Sequence, residues 1–361
     1  MAEALIVGAG AIGRGYLPWE LKNFELTFLD SNEDLIKSLK ENCGYNTFMS
    51  FDTHLEKYKV DNAEFVSSIS DINLDNFDIA IICVGPRNLK YLPRGLGKLK
   101  CPIYSLENDS ETVFELRDLF DKADIYFGVP DVITSLTASP ENIKDDVNAL
   151  HTENGVLYLE DHGDIKRELK DLMPKVEWIS KERMIKEWDA KLYIHNTPHC
   201  IAAFYGYLNN CEYVHDALAI DSVKLKLNGV VDEVLQTLKI LTNHDHDFLE
   251  WYAEKEISRF SNKLLYDPVK RVARQPLRKL APGGRLVGIL KLCLQAGVMP
   301  INLANGIAAS LKYDFEDDED SVYLKNINYI GIEAFLSFMI KVNPNSIEGE
   351  WIINAYNNFK S

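Results

Sequence analysis

No stretch of this 361-residue chain carries the ~18 consecutive apolar residues that a membrane-spanning helix requires. No internal repeat and no low-complexity tract is present either, which removes solenoids and disordered tails from consideration. Cys43, Cys83, Cys101, Cys200, Cys211 and Cys293 form no CxxC pair and no disulfide-like spacing. They argue for a reducing compartment and read as small apolar residues in packed positions. Cations are in short supply: 39 Lys and Arg stand against 55 Asp and Glu, a formal net charge of −16. Such a surface repels nucleic acid and anionic membranes, so neither is an expected partner, and any anion bound must meet a local cluster of positive charge. The segment after Met1 has no basic stretch leading into an apolar signal region, so the expected location is cytoplasmic.

Apolar material, by contrast, is ample at 46% of residues, enough at this length for two domains with separate cores. Ala4-Leu5-Ile6-Val7 is a short continuous apolar run ending in glycine, the pattern of a parallel strand buried on both faces. Residues 26–29, 79–84, 103–106 and 125–127 repeat it between polar, partly helical stretches, and 156–159 reads as a late strand of the same sheet, in either orientation. After about residue 185 the period changes. Leu227, Val231, Val234, Leu238 and Leu241 recur three or four apart on one helix face, and further helices are predicted over 199–209, 247–260, 285–296, 301–312, 322–341 and 346–358. The expected fold is α/β plus all-α: a Rossmann-type doubly wound domain over 1–186, then an α-helical substrate domain over 187–361, with the active site in the cleft between them. Residues 314–320, with five acids in a row from Glu316, read as a solvated loop.

Gly8-Ala9-Gly10-Ala11-Ile12-Gly13 follows the first strand directly, which gives the GxGxxG pattern the strand-turn-helix context a dinucleotide needs. Gly8 permits the tight turn, Gly10 lets the backbone approach a pyrophosphate, and Gly13 lets the next helix pack on the strand. The phosphate charge then falls on unpaired N–H groups at the helix start, with Ala9, Ala11, Ile12 and Arg14 completing this part of the cofactor set. Asp30 ends the second strand seventeen residues beyond Gly13. A carboxylate there accepts hydrogen bonds from both ribose hydroxyls and repels a 2′-phosphate, so the expected cofactor is NAD rather than NADP. Pro18 falls where the first helix should continue and predicts a kinked or shortened helix. Val84-Gly85-Pro86 ends another strand at the carboxyl edge, where ligands of such sheets bind, and adds Val84 and Gly85 to the cofactor set. Glu107-Asn108 ends the next strand, where Asn108 either holds a cofactor or substrate oxygen or simply closes a turn.

Oxidising an alcohol by hydride transfer also requires removal of the hydroxyl proton, by a zinc ion or by a positioned side chain. No Cys/His set here has zinc spacing. His244-Asp245-His246 is the nearest imitation, but alternate residues do not share a helix face, so it reads as a solvated helix junction and no metal is expected. The stronger candidate is Lys191-Leu192-Tyr193-Ile194-His195-Asn196-Thr197-Pro198-His199. On an ideal helix Lys191, Asn196 and His199 fall within a ~140° arc, although Pro198 suits the first turn of a helix begun at Asn196 or Thr197. Taken alone, His199 beside apolar residues reads as a core side chain. Between Lys263 and Arg285 seven Lys or Arg accompany one acid, Asp267. This stretch is either a phosphate clamp, with Arg274, Arg278 and Lys279 as leading members, or a basic surface paired with acidic neighbours.

The segment from Lys191 to His199 closely resembles the Lys-x4-Asn-x2-His signature of the polyol-specific long-chain dehydrogenase family. The chain from Gly8 through Gly15 and Ala202-Ala203-Phe204-Tyr205-Gly206 resemble the same family. Arg259-Phe260-Ser261-Asn262, the run from Arg271 to Leu280 and Gly306-Ile307-Ala308-Ala309 are similar to its mannitol-1-phosphate branch, so the likeness spans nearly the whole chain. The resemblance implies that Lys191 is the general acid/base and that Asn196 and Asn108 hydrogen-bond the developing alkoxide. It implies that His199 orients the substrate or the lysine, and that Arg259 and Asn262 join Arg274, Arg278 and Lys279 in binding substrate. The implied activity is metal-independent, NAD-dependent interconversion of mannitol 1-phosphate and fructose 6-phosphate by a monomer or homodimer. Alternatives are an unphosphorylated polyol or a uronate as substrate, as in mannitol 2-dehydrogenase and fructuronate or tagaturonate reductases, or a non-catalytic NAD-binding sensor. Ala11, Leu106, Pro130-Asp131-Val132 and Gly283-Gly284-Arg285 depart from the family pattern; they bear on the identity of the polyol, not on the Lys/Asn/His set.

Overall fold

The computed structural model describes residues 2–51, 53–107, 111–122 and 124–359. The chain forms two compact units, one of Met1–Trp188 with Leu264–Tyr266, the other of Asp189–Lys263 with Asp267–Ser361. Among the described residues no helix is long and apolar enough to cross a membrane.

Among the described residues eleven strands lie in the first unit: β1 (Ala2–Val7), β2 (Phe24–Leu29), β3 (Tyr45–Ser50), β4 (Leu55–Val60), β5 (Ala63–Val66), β6 (Ile79–Ile82), β7 (Ile103–Ser105), β8 (Ile125–Asp131), β9 (Leu150–Glu153), β10 (Val156–Glu160) and β11 (Glu177–Ile179). Eight form one sheet in the order β11-β10-β8-β7-β6-β1-β2-β5. All neighbours in it run parallel except β10, which is antiparallel to β8. The continuous apolar strands are explained by burial on both faces. Ala4, Ile6, Ile79 and Ile81 pack into one core layer, while Leu5, Val7, Ala80 and Ile82 pack into the other. Strand order reverses direction at β1, whose neighbours are β2 and β6, so the carboxyl end of β1 is the switch point at which such sheets bind ligands.

A second sheet, β4-β3-β9, was not visible in the apolar pattern. β4 is largely solvent-exposed and reads Leu-Glu-Lys-Tyr-Lys-Val, and β3 finds its parallel partner β9 only a hundred residues along the chain. The packed-cysteine expectation also needs correcting at one position. Cys43 is exposed, in the left-handed region at φ 50°, in the turn that ends helix Glu33–Glu41.

Within the first unit, His151 on β9 joins the short segment Leu264–Tyr266. Its Nδ1–H donates to the Leu264 carbonyl at 3.2 Å, its Nε2 accepts from the Asn142 amide at 3.2 Å, and its ring meets that of Tyr266 edge-on. Burial pushes this imidazole down from 6.5 to about 4, against a smaller opposing contribution from the Leu264 carbonyl. A folded-state value below the unfolded one makes stability complete above pH 6.5 and lost as pH falls toward 4. That window is worth about 3 kcal/mol at 1.36 kcal/mol per unit. His151→Gln is therefore expected to flatten the decline in unfolding free energy between pH 6.5 and 4. An unchanged slope in urea titrations would contradict this assignment.

The second unit is helical, its β content among the described residues limited to one bridge between Tyr213 and Pro268. Helix Asp221–Leu241 buries Leu227, Val231, Val234 and Leu238, while Leu241 at its end is exposed. Buried Glu233 on the same helix caps helix Ile301–Ser310, accepting from the Asn302 and Leu303 backbone N–H groups at 2.7 and 2.9 Å. The helix predicted over 322–341 is broken into short pieces around Gly331, whose φ of 83° an L side chain rarely adopts. The acidic run is likewise not merely a solvated loop. Asp318 is buried, N-caps helix Glu319–Leu324, and accepts at 2.7 Å from the N–H of Gln275, a residue in the left-handed region. At the His244-Asp245-His246 junction Asp245 caps helix His246–Phe260, so the carboxylate serves backbone donors.

Candidate active site

The glycine turn divides its three glycines between protein and ligand. Gly8 has φ 104°, and a Cβ there would lie 2.7 Å from the Cys83 carbonyl at the end of β6; at Gly13 it would lie 2.0 Å from the Gly8 carbonyl. A Cβ at Gly10 would meet no atom within 4 Å. Protein packing therefore demands glycine at 8 and 13, whereas at 10 a side chain would project into the open space a pyrophosphate has to enter. Asp30 lies just past β2, accepting from the Ala9 N–H at 2.6 Å through Oδ2 and from the Asn32 N–H at 2.9 Å through Oδ1. Each oxygen keeps acceptor capacity for a ribose hydroxyl. Gly85, at φ 88°, donates its N–H to Glu107 at 2.8 Å and ties the ends of β6 and β7 together. The residues present thus fit a dinucleotide. Gly10→Ala is expected to leave the melting temperature unchanged and weaken NADH binding about tenfold or more, whereas Gly13→Ala unfolds the turn. Equal loss of stability in both variants would refute this division.

Arg14, expected in the cofactor set, is buried and points inward: its guanidinium donates to the Ala9 carbonyl at 2.6 Å and the Asn148 carbonyl at 3.0 Å. The helix it starts is short, a π-helical stretch Ala11–Tyr16 followed by α-helix Leu17–Glu20 with Pro18 in its first turn. Pro18 cannot donate back along the helix, and β3 side chains satisfy carbonyls there instead. The Tyr45 hydroxyl donates to the Arg14 carbonyl at 2.8 Å and the Thr47 hydroxyl to the Gly15 carbonyl at 2.6 Å. The unforeseen small sheet is thus what braces the cofactor turn.

The second candidate set repeats this device. After helix Lys181–Ala190 the chain widens into a π-helical stretch, Lys191–His195, and α-helix Asn196–Leu208 begins at Asn196 with Pro198 in its first turn. Such π stretches recur at functional sites because they rotate one side chain out of the regular helical row. Lys191, His195, Asn196 and His199 are all buried. The rings of His195 and His199 meet edge-on at 5.2 Å, and His199 stacks on Phe260 at 4.7 Å with planes 3° apart.

Two carboxylates fix these imidazoles. His195 Nδ1 donates to buried Glu256, which also takes the Arg259 guanidinium. His199 Nε2 donates to Asp267 at 2.9 Å, and Asp267 accepts from Arg271 at 2.7 and 2.5 Å. Burial pushes the Asp267 carboxyl up, but Arg271 and the His199 bond more than offset it and leave it below the ordinary carboxylate range. His195, Glu256, Asp267 and Arg271 were not among the sequence-derived candidates. Their signals were the spacings Glu256 to Arg259 and Asp267 to Arg271, three and four residues, which suit helical ion pairs.

The basic stretch is only partly a clamp surface. Arg274 is exposed and Arg278 half-buried, but Lys279 is buried, donates to the Arg274 carbonyl, and is driven well below its ordinary value by burial and then by Arg285. Lys279 therefore braces the turn that presents Arg274. Arg259 and Asn262 are half-buried at the end of helix His246–Phe260, and Asn108 lies outside the described residues.

Residues 185–331, which contain the whole Lys191–Arg285 set, match the family described as mannitol dehydrogenase C-terminal domain. Mannitol-1-phosphate 5-dehydrogenase of Caldanaerobacter subterraneus subsp. tengcongensis is 28% identical over 99% of this chain and 98% of its own length. Its namesake in Thermoanaerobacter pseudethanolicus is 27% identical over 100% and 98%. In fold the chain is similar to Pseudomonas fluorescens mannitol 2-dehydrogenase, solved as a ternary complex with NAD and D-mannitol, with a TM-score of 0.80 at 15% identity, covering 99% of this chain and 91% of that one. A glycine turn at the switch point of a parallel sheet, a helical unit carrying the Lys-x4-Asn-x2-His row, and full-length relatives agree: residues 185–331 match the mannitol dehydrogenase C-terminal domain, and the chain as a whole is similar to enzymes named mannitol-1-phosphate 5-dehydrogenase.

Proposed function

We propose that this chain is a NAD-dependent polyol dehydrogenase that interconverts mannitol 1-phosphate and fructose 6-phosphate, the first unit holding the cofactor and the second the substrate. When bound, NAD supplies the hydride acceptor for alcohol oxidation and, reduced, the donor for the reverse. Lys191 Nζ takes the hydroxyl proton during oxidation and returns it to the carbonyl oxygen during reduction. Asn196 donates a hydrogen bond to the oxygen as negative charge develops on it, an interaction strongest in the transition state. With Nε2–H committed to Asp267, His199 has its Nδ1 left as an acceptor, suited to a substrate hydroxyl or the lysine ammonium. The buried row Lys191, Asn196 and His199, fixed by Asp267, is the observation that carries this reading.

A phosphate is the natural partner of Arg274 and Arg278 in a protein of net charge −16. NADH oxidation across fructose 6-phosphate, fructose, fructuronate and tagaturonate tests the substrate. Fructose 6-phosphate is expected to turn over fastest, and Arg278→Gln to raise its KM about tenfold with little effect on fructose. Faster reduction of fructose or a uronate would replace the phosphorylated substrate with the unphosphorylated one, and NADH binding without any turnover would make the chain a sensor. Free thiols at all six cysteines and a soluble pyridine cofactor suit a reducing cytoplasm.

A further inference from the structure

The helical unit holds a cavity of about 890 Å³, lined by the end of helix Asn196–Leu208, helix Val269–Ala273, residues 311–315, the end of helix Glu319–Leu324 and Tyr356. Its size lies within the roughly 300–1,000 Å³ of small-molecule sites. Lys270, Lys312 and Lys325 all line it, and among the described residues none of the three is paired with a carboxylate, in a chain with sixteen more acids than bases. Two stand instead over aromatic faces: Lys270 Nζ lies 4.2 Å from the Phe315 ring centre and Lys312 Nζ 3.9 Å from that of Tyr356. The carboxylates on the lining are Asp314, which accepts from the Tyr207 hydroxyl at 2.6 Å, and Glu212.

Aromatic surface and one orphaned donor complete the site. Tyr207 and Tyr313 cross edge-on at 4.7 Å, and the Tyr313 hydroxyl is buried without a hydrogen-bond partner, an arrangement that costs stability until something accepts its proton. Asn210 and Asn328 add amide donors and acceptors. Unpaired cations beside aromatic rings and amides are the complement of a phosphate carried on a ring that bears hydroxyl groups.

We propose that this cavity is a second ligand site, distinct from the Lys191 to His199 row, for a phosphate monoester of a sugar or nucleoside, with the phosphate on Lys312 and Lys325 and the ring against Tyr207 and Tyr356. The test is calorimetric titration of the full chain, saturated with NADH so that the dinucleotide turn is filled, with glucose 6-phosphate and with AMP. One equivalent of one of the two is expected to bind, and which of them binds separates a sugar site from a nucleotide site. Lys325→Gln should weaken it about tenfold and Lys312→Gln with Lys325→Gln about a hundredfold, while Arg278→Gln leaves it unchanged. Both lysines are partly solvent-exposed, and an unaltered melting temperature checks that the variants fold. Binding of glucose or adenosine as tight as that of the ester, binding indifferent to both lysines, or no binding of either ester would overturn the proposal.

Discussion

Lys191→Ala lowers kcat by about a thousandfold or more while the Kd for NADH stays within about twofold, because a positioned acid/base contributes roughly 10²–10⁴ to such a step. The separation follows from where the residues lie. The glycine turn and Asp30 belong to the first unit and Lys191 to the second, so removing the amine leaves the groups expected to hold the dinucleotide intact. The melting temperature of the variant checks that it folds. The measurement pairs steady-state rates with NADH fluorescence titration, and a primary amine such as methylamine, added to the variant, should restore part of the lost rate. Turnover within tenfold of the parent would transfer the proton to another group and end the assignment of Lys191.

What the sequence made legible was whatever depends on neighbours along the chain. β1 and β6 announced themselves because burial on both faces requires unbroken apolar residues, and the glycine turn because its spacing follows a strand directly. Lys191, Asn196 and His199 drew notice through a family resemblance that one short segment carries. What stayed hidden depends on partners far away. β4 is mostly exposed and charged, β3 pairs with β9 across a hundred residues, and no local pattern says that Tyr45 and Thr47 will serve the carbonyls of Arg14 and Gly15. His195 stood in plain view within the candidate segment, yet its meaning comes from Glu256 sixty-one residues on. Asp267 drew notice only as the lone acid of a basic stretch; its partner His199 lies sixty-eight residues back, where no local pattern could name it.

The expectation for Asp267→Asn follows from that bond. The substitution keeps the shape but removes the charge and leaves one acceptor oxygen for two donors, so Arg271 loses its ion pair and either it or the His199 Nε2–H loses its acceptor. Breaking one side of a buried charged pair costs roughly 3–5 kcal/mol, and a displaced orienting group costs up to about a hundredfold in rate, so stability and kcat should both fall at pH 7. A merely structural role would leave the kcat of the folded fraction unchanged, which makes kcat per folded molecule, at unchanged NADH affinity, the discriminating quantity. The pH dependence has a definite sign. The folded-state value of Asp267 is depressed, so its contribution is present above the ordinary carboxylate value near 3.8 and disappears as pH falls through the lower folded value. Parent and variant should therefore differ by a constant amount from pH 7 down to about 4 and converge only below it. Convergence already at pH 5, or no difference at pH 7, would show that the Asp267 carboxylate is not what holds His199 in place.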